Sequence, residues 1–173
     1  MMDEIIEPIE IKEDPKRPTF LKVLCILSFV SIGVSGIATL FSTISGPVSD
    51  EEMLETRAEL YESSEEMRSS GMTDLANLFE QMQRMNESLN DHFYAVALVS
   101  ILVIAIGFVG VFFMWQGRKL GFHLYILYSL MSIGNIYLFV EPVDIPNFVV
   151  IWNLLISGIF ILLYSRNLVW MNK

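Results

Sequence analysis

Four long apolar runs alternate along the chain with short blocks that hold nearly all of its charge. The first run, Phe20 to Ile44, is broken only by Lys22 near its start. The second, Phe93 to Trp115, carries no charge. The third, Leu120 to Val140, has one ionisable group, His123, and the fourth, Pro146 to Leu163, has none and continues through Tyr164 and Ser165. A helix rises about 1.5 Å per residue, so about 20 residues cross a hydrocarbon core of about 30 Å. Each run meets that length. Backbone amides in lipid must bond within their own segment, so each run is predicted to be an α-helix. Membrane β-strands would be shorter and alternate in polarity.

The segment between the first two runs has a different pattern. Residues 46–92 hold twelve acidic and three basic residues. Ser49 followed by Glu52 matches a capping box just after Pro47. Apolar positions then fall at Met53, Leu54, Leu60, Tyr61 and Met67, near a heptad spacing, until Ser69-Ser70-Gly71 interrupts them. Gly71 is a plausible helix stop. A second stripe follows Thr73 and Asp74: Leu75, Leu78, Met82, Met85 and Leu89, with Phe79 and Phe93 beside the seam. Neither Pro nor Gly separates this stripe from the second run, which predicts one continuous helix from about Thr73 to Trp115. The two arms form a helical hairpin of about 27–30 Å per arm. Short helices are marginal alone in water, so the stripes imply a partner surface: the other arm, a second copy of the chain, or another protein. Met53, Leu60, Met67, Leu75, Leu78, Met82, Met85 and Leu89 are the candidate docking residues. Flexible methionines suit an adaptable face.

Composition sharpens the assignment. The 173 residues are 53% hydrophobic and only 18% charged, with a formal net charge of −9. Long apolar runs rule out an ordinary water-soluble globule. One cysteine, Cys25, excludes a disulfide scaffold and a thiolate zinc site, and an acidic chain with no basic stripe is a poor partner for nucleic acid. Lys and Arg near the span ends set the orientation. Lys12, Lys16, Arg17, Lys22, Arg118, Lys119, Arg166 and Lys173 fall on one side, against Arg57, Arg68 and Arg84 on the other. Both termini are therefore expected in the cytoplasm and 46–92 outside it. An acidic leader and a long apolar stretch argue for an uncleaved anchor rather than a signal peptide. The bilayer itself is the first expected partner. Other membrane or periplasmic proteins, or a second copy, come next.

Candidate chemistry inside the spans is sparse. Their central parts lack the ionisable residues that mark proton relays and ion paths. Ser31, Ser35 and Thr39 run at steps of four along the first span, beside Gly33 and Gly36. Ser100, Gly107 and Gly110 lie on the second. Such small-residue faces allow close helix approach, and the two are expected to meet within the bundle, with a subunit interface as the alternative. Asn135 on the third span, with Asn153 and Ser157 on the fourth, reads as interhelical hydrogen bonding. His92 and His123 lie at opposite membrane surfaces and cannot share a haem iron. Paired carboxylates such as Glu51-Glu52 and Glu65-Glu66 lack the sharp Gly loop of a calcium site. Asn86-Glu87-Ser88 matches a glycosylation acceptor. No nucleophile, base and orienter come together. No catalytic, cofactor or metal residue is assigned, and the chain is expected not to be an enzyme.

Lys-Arg-Pro-Thr-Phe-Leu-Lys-Val-Leu-Cys-Ile-Leu at 16–27, with Trp-Gln-Gly-Arg-Lys-Leu-Gly-Phe-His-Leu-Tyr at 115–125, resembles small four-span bacterial inner-membrane proteins with no assigned activity. The resemblance implies a location and an architecture, without site residues. The expected fold is all-α: a four-helix transmembrane bundle with an extramembrane hairpin between the first and second spans. Its divisions are a disordered acidic cytoplasmic tail (1–18), the first transmembrane helix (19–45), the acidic extracytoplasmic hairpin (46–92), the second to fourth transmembrane helices (93–165) and a cytoplasmic tail (166–173). The expected function is that of an accessory or structural subunit that docks partners through the hairpin and the small-residue faces. The alternative is a sensor or transport component in which a dimeric hairpin bundle relays ligand binding into the membrane.

Overall fold

The computed structural model describes residues 18–171. The disordered tail expected over 1–18 therefore lies outside the described residues except for Pro18. Six α-helices follow in order: α1 (Thr19–Ser45), α2 (Asp50–Ser69), α3 (Thr73–Asp91), α4 (Phe93–Trp115), α5 (Lys119–Gly134) and α6 (Asn147–Ser165). Two 3₁₀ turns, Asn135–Leu138 and Pro142–Asp144, join α5 to α6. There is no strand among the described residues.

The boundaries follow local chemistry. Ser49 Oγ accepts the Glu52 amide and the Glu52 carboxylate accepts the Ser49 amide, so the capping box forms and α2 starts there. Gly71, at φ 81°, ends α2. The Met72 amide reaches back to Met67 O and the Gly71 amide to Arg68 O, the paired bonds of a Schellman end. Gly117, at φ 80°, ends α4 in the same way, with Arg118 N on Phe113 O and Gly117 N on Met114 O. The ring of Trp170 lies where a Cβ at Gly117 would stand, so the described residues after α6 fold back over this turn.

Two expectations on helix continuity are corrected. The helix expected from Thr73 to Trp115 is interrupted at His92, which has φ −109° and ψ 22°. Asn90, Asp91 and His92 are weak helix formers. Asn90 is diverted to Val48, whose N–H and C=O it meets at 2.9 and 3.0 Å. The His92 ring packs on Phe139. The third apolar run is likewise divided: α5 has only 16 residues, and Asn135 begins a 3₁₀ turn. Asn135 Nδ2 donates to Ser100 Oγ on α4 at 3.3 Å, and the backbone tightens to i→i+3 bonding. Three helices, α1, α4 and α6, are therefore long and apolar enough to cross a membrane, rather than four.

Packing is uneven along the bundle. The main core gathers Leu21, Leu24, Cys25, Val111, Met114, Phe122, Tyr125, Tyr164 and Met171, all near the Trp115–Lys119 turn. Toward the other end the helices loosen. Residues 151–156 of α6 are all exposed, as are Ser31, Gly33 and Ser35 of α1. A helix apolar on every side and uncovered by protein is suited to lipid. A smaller cluster, Met85 with Val140 and Ile145, joins α3 to the α5–α6 connection.

α2 and α3 run antiparallel, since Arg57 pairs with Glu87 and Arg68 with Glu80. α3 is also tied to the second 3₁₀ turn, where Arg84 Nε donates to Asp144 Oδ1 at 2.7 Å and Gln81 Nε2 to Val143 O at 2.6 Å.

Candidate functional site

A cleft of about 580 Å³ lies where the last turns of α1 and the first turns of α4 meet the roots of α2 and α3. Its lining mixes apolar and polar groups along its whole length, with Ser100 at the floor and Val48, Met53 and Leu89 at the hairpin end. The lower wall, inside the apolar helices, is Ala38, Val96 and Ala97, with Phe93 above them. Thr39, Ser42 and Thr43 form a hydroxyl ladder up α1, and Thr56, Gln83, Asn86 and Asn90 close the upper end with hydroxyl and amide groups. None of its lining residues is ionisable. That is notable because 46–92 carries twelve carboxylates against three arginines, a balance equal to the whole chain's formal −9.

Its polar groups are unequally committed. Thr39 and Thr43 bond back to Ser35 O and Thr39 O on their own helix, and Thr56 to Glu52 O. Gln83 donates to Glu87 Oε1 at 3.1 Å and touches Met53 Sδ at 3.6 Å. Ser42 and Asn86 are exposed. Ser100, at the floor, accepts from Asn135 Nδ2, so its own O–H can donate. The Asn135 Oδ1 on the far side is buried without a partner.

A second groove of about 400 Å³ lies between α2 and α3. All three arginines of the segment line it, Arg57, Arg68 and Arg84, beside Glu80 and Glu87. Each guanidinium is already engaged by a carboxylate, so the groove is a zipper of ion pairs. The bidentate hydrogen bonds from Arg57 hold the Glu87 carboxyl below its ordinary value of 4.5, against an opposing effect of burial; Gln83 and the charge of Arg84 add to the lowering. The Arg57 guanidinium is held above its ordinary value, chiefly by the hydrogen bond to Glu87.

A depressed carboxyl pKa stabilises the folded state fully above the unfolded value, and that contribution disappears as pH falls through the lower folded value. The expected result is that Glu87→Gln destabilises α2–α3 pairing at neutral pH and that the difference from wild type closes below about pH 4. Hydrogen exchange on α3 amides as a function of pH measures it. A gap between the two proteins that stays constant down to pH 3 would contradict this assignment.

The candidate docking residues are distributed rather than gathered on one free face. Met85 is buried, and Leu89 packs beside it. Met53 and Leu89 line the cleft, and Leu60 lines the arginine groove. Met67, Leu78 and Met82 are half-buried, and Leu75 remains exposed. The exposed apolar side chains of these arms are instead Leu54 and Tyr61 on α2, Met72 in the connecting turn, and Leu75 and Phe79 on α3. Leu54 and Tyr61 stand seven residues apart, a spacing visible in the sequence but assigned there to the seam.

The candidate packing residues also separate. The small faces of α1 and α4 meet in part: Ala38, Thr39 and Thr43 share the cleft with Ser100, and Gly36 lies against Ile104, but the two glycines of α4 face elsewhere. Gly107 and Gly110 turn instead to α5, against Tyr128 and against the backbone of Gly121 and Tyr125. Ser31 and Ser35 are exposed, and Thr39 lines the cleft. Asn135 makes the interhelical bond expected of it. Asn153 is exposed and bonds Val149 O of its own helix, and Ser157 is half-exposed. His92 and His123, at opposite ends of the α4–α5 pair, each bond a carbonyl of their own helix turn. No group of three or more metal-ligating side chains forms among the described residues.

The architecture is thus that of an all-helical protein with three helices able to cross a membrane. A family model described as a domain of unknown function (DUF8777) matches residues 15–164, and the chain belongs to that family. Neither a curated protein nor a solved structure matches the chain.

Proposed function

We propose that this chain is a non-enzymatic integral membrane protein of the bacterial inner membrane, an accessory or structural subunit that presents the α2–α3 hairpin to partner proteins. In this reading the bundle has four crossings. α3 and the second 3₁₀ turn bind each other, so both lie on one side of the bilayer. α4 leaves that side and the chain must return to it before that turn. The 16 residues of α5 and the four of the first 3₁₀ turn together cover about 32 Å, enough for the return. The distribution of Lys and Arg supports cytoplasmic termini with the hairpin outside.

The observation that carries the docking reading is the way the hairpin is braced. Arg84–Asp144, Gln81–Val143 and the Met85–Val140–Ile145 cluster fix α3 to the bundle. α2 then displays Leu54 and Tyr61, 62% and 64% exposed, to the surroundings. A braced helix with an exposed aromatic anchor is a low-entropy contact surface. The break at His92 removes the continuous lever on which a sensor relay would depend.

The test is site-specific photocrosslinking in intact cells from positions 54 and 61, with position 162 on the exposed flank of α6 as reference. Discrete adducts from both hairpin positions, with those from position 54 disappearing on Tyr61→Asp, support docking. Adducts of equal yield from all three positions, or none from the hairpin, overturn it.

A further inference from the structure

The cleft beneath the hairpin has a shape and a polarity that the docking role does not use. We infer that it is a binding site for a neutral, hydroxyl-bearing lipid, with one acyl chain between α1 and α4 and the head under the hairpin roots. The inference rests on the membrane placement proposed above and is independent of protein docking. The volume of about 580 Å³ lies within the range of ligand sites, about 300–1,000 Å³.

Three features select the class. First, the apolar part, Ala38, Val96 and Ala97, lies within the membrane-crossing helices, whereas the amides of Asn86 and Asn90 lie beyond their ends. The hydroxyls of Thr39, Ser42, Thr43 and Ser100 share the membrane-side part, and Val48, Met53 and Leu89 share the outer part, so apolar and hydrogen-bonding groups are mixed along the whole cleft, as they are in the glycerol and upper acyl region of a bilayer lipid. A water-soluble alcohol or sugar would leave the apolar walls unmatched. Second, the hydroxyl and amide that remain available near the hairpin roots, those of Ser42 and Asn86, both donate and accept hydrogen bonds. They match hydroxyl groups of glycerol or a sugar. Third, no cation lines the cleft. A phosphate head would lose hydration without gaining an ion pair, close to a segment of twelve carboxylates that repels it. An ammonium head would find no carboxylate in the lining.

The whole chain would be reconstituted in phosphatidylcholine nanodiscs with a small fraction of one of two diazirine-tailed probes, diacylglycerol or phosphatidylglycerol. Adducts would be mapped by peptide mass spectrometry. The neutral probe is expected to label segments 38–43 and 93–100 about tenfold more than the anionic probe does, the ratio that about 1.4 kcal/mol of selectivity gives. Ser42→Phe, which fills the cleft from an exposed position, should reduce this to the level of the general lipid-facing surface. Asn86→Phe should do so from the opposite wall, and Leu162→Phe should leave it unchanged. Equal labelling by both probes, or labelling that survives both filling variants, overturns the site while leaving the membrane reading intact. Failure of the chain to enter nanodiscs would overturn the membrane reading, and the lipid site with it.

Discussion

Gly121→Ala is expected to remove most of the folded protein. A Cβ at Gly121 would stand 2.5 Å from Gly110 O, against backbone that cannot rotate aside. The reverse view is almost as close: a Cβ at Gly110 would lie 3.0 Å from Tyr125 N and 3.2 Å from Gly121 O. α4 and α5 approach at this pair of glycines, as membrane helices do where small residues bring backbones together. To accept one methyl group the helices must separate, and Val111, Met114, Phe122 and Tyr125 lose their shared core. Overpacking ordinarily costs about 1–3 kcal/mol. Here the upper end or beyond is expected, and it outweighs the gain of up to about 1 kcal/mol that alanine brings to a helix. Gly158→Ala supplies the control, because nothing lies within 4 Å of that site; it should be neutral or mildly stabilising. Monodisperse yield and thermal midpoint in mild detergent measure both. If the two variants behaved alike, the close crossing of α4 and α5 would be wrong.

Tyr164→Ala is the second large effect. Tyr164 is fully buried, stacks edge-on against Tyr125 at 4.9 Å between ring centroids, and shares a 2.8 Å hydrogen bond with Ser28 Oγ on α1. Few other contacts join α1 to α6. Removing the ring should cost about 3–5 kcal/mol through the cavity it leaves. Tyr164→Phe deletes only the hydroxyl and should cost about 0.6–2 kcal/mol, the range of interhelical hydrogen bonds in membranes. Denaturant unfolding in one detergent ranks the two. Equal losses would mean that the ring packs against little and the hydroxyl alone ties α6 down.

Much of the fold was legible because lipid-crossing segments announce themselves by length and uniform hydropathy. α1, α4 and α6 begin and end within a residue or two of the apolar runs, and the capping box at Ser49 and the stop at Gly71 are local signals that tertiary structure did not override. The errors share a cause. Asn135 and His92 are polar residues next to apolar runs, and in sequence they read as passengers. In the fold each is engaged by a distant element, Ser100 or Phe139, and the backbone yields there. The pairing of Gly107 and Gly110 with α5 was invisible for a related reason, since a small-residue face states that a helix comes close without stating which one.

The candidate site was less legible still. Its lining comes from four helices and Val48 of the α1–α2 connection, which the bonds between Asn90 and Val48 tie to the end of α3. Met53 and Leu89 were recognised as seam residues, but nothing in their spacing reveals a hollow next to the seam.

The uneven packing of the bundle has one more consequence. α6 is secured by Tyr164 at one end and by Ile145 and Val150 at the other, while its middle touches little protein. If α6 crosses a bilayer as proposed, acyl chains rather than side chains lie against its exposed stretch 151–156. In the proposed membrane setting, how far α6 bows should therefore follow the fluidity of the surrounding bilayer, stiffening in saturated, ordered lipid and swaying in unsaturated lipid, while the tightly joined end at the Trp115–Lys119 turn stays still.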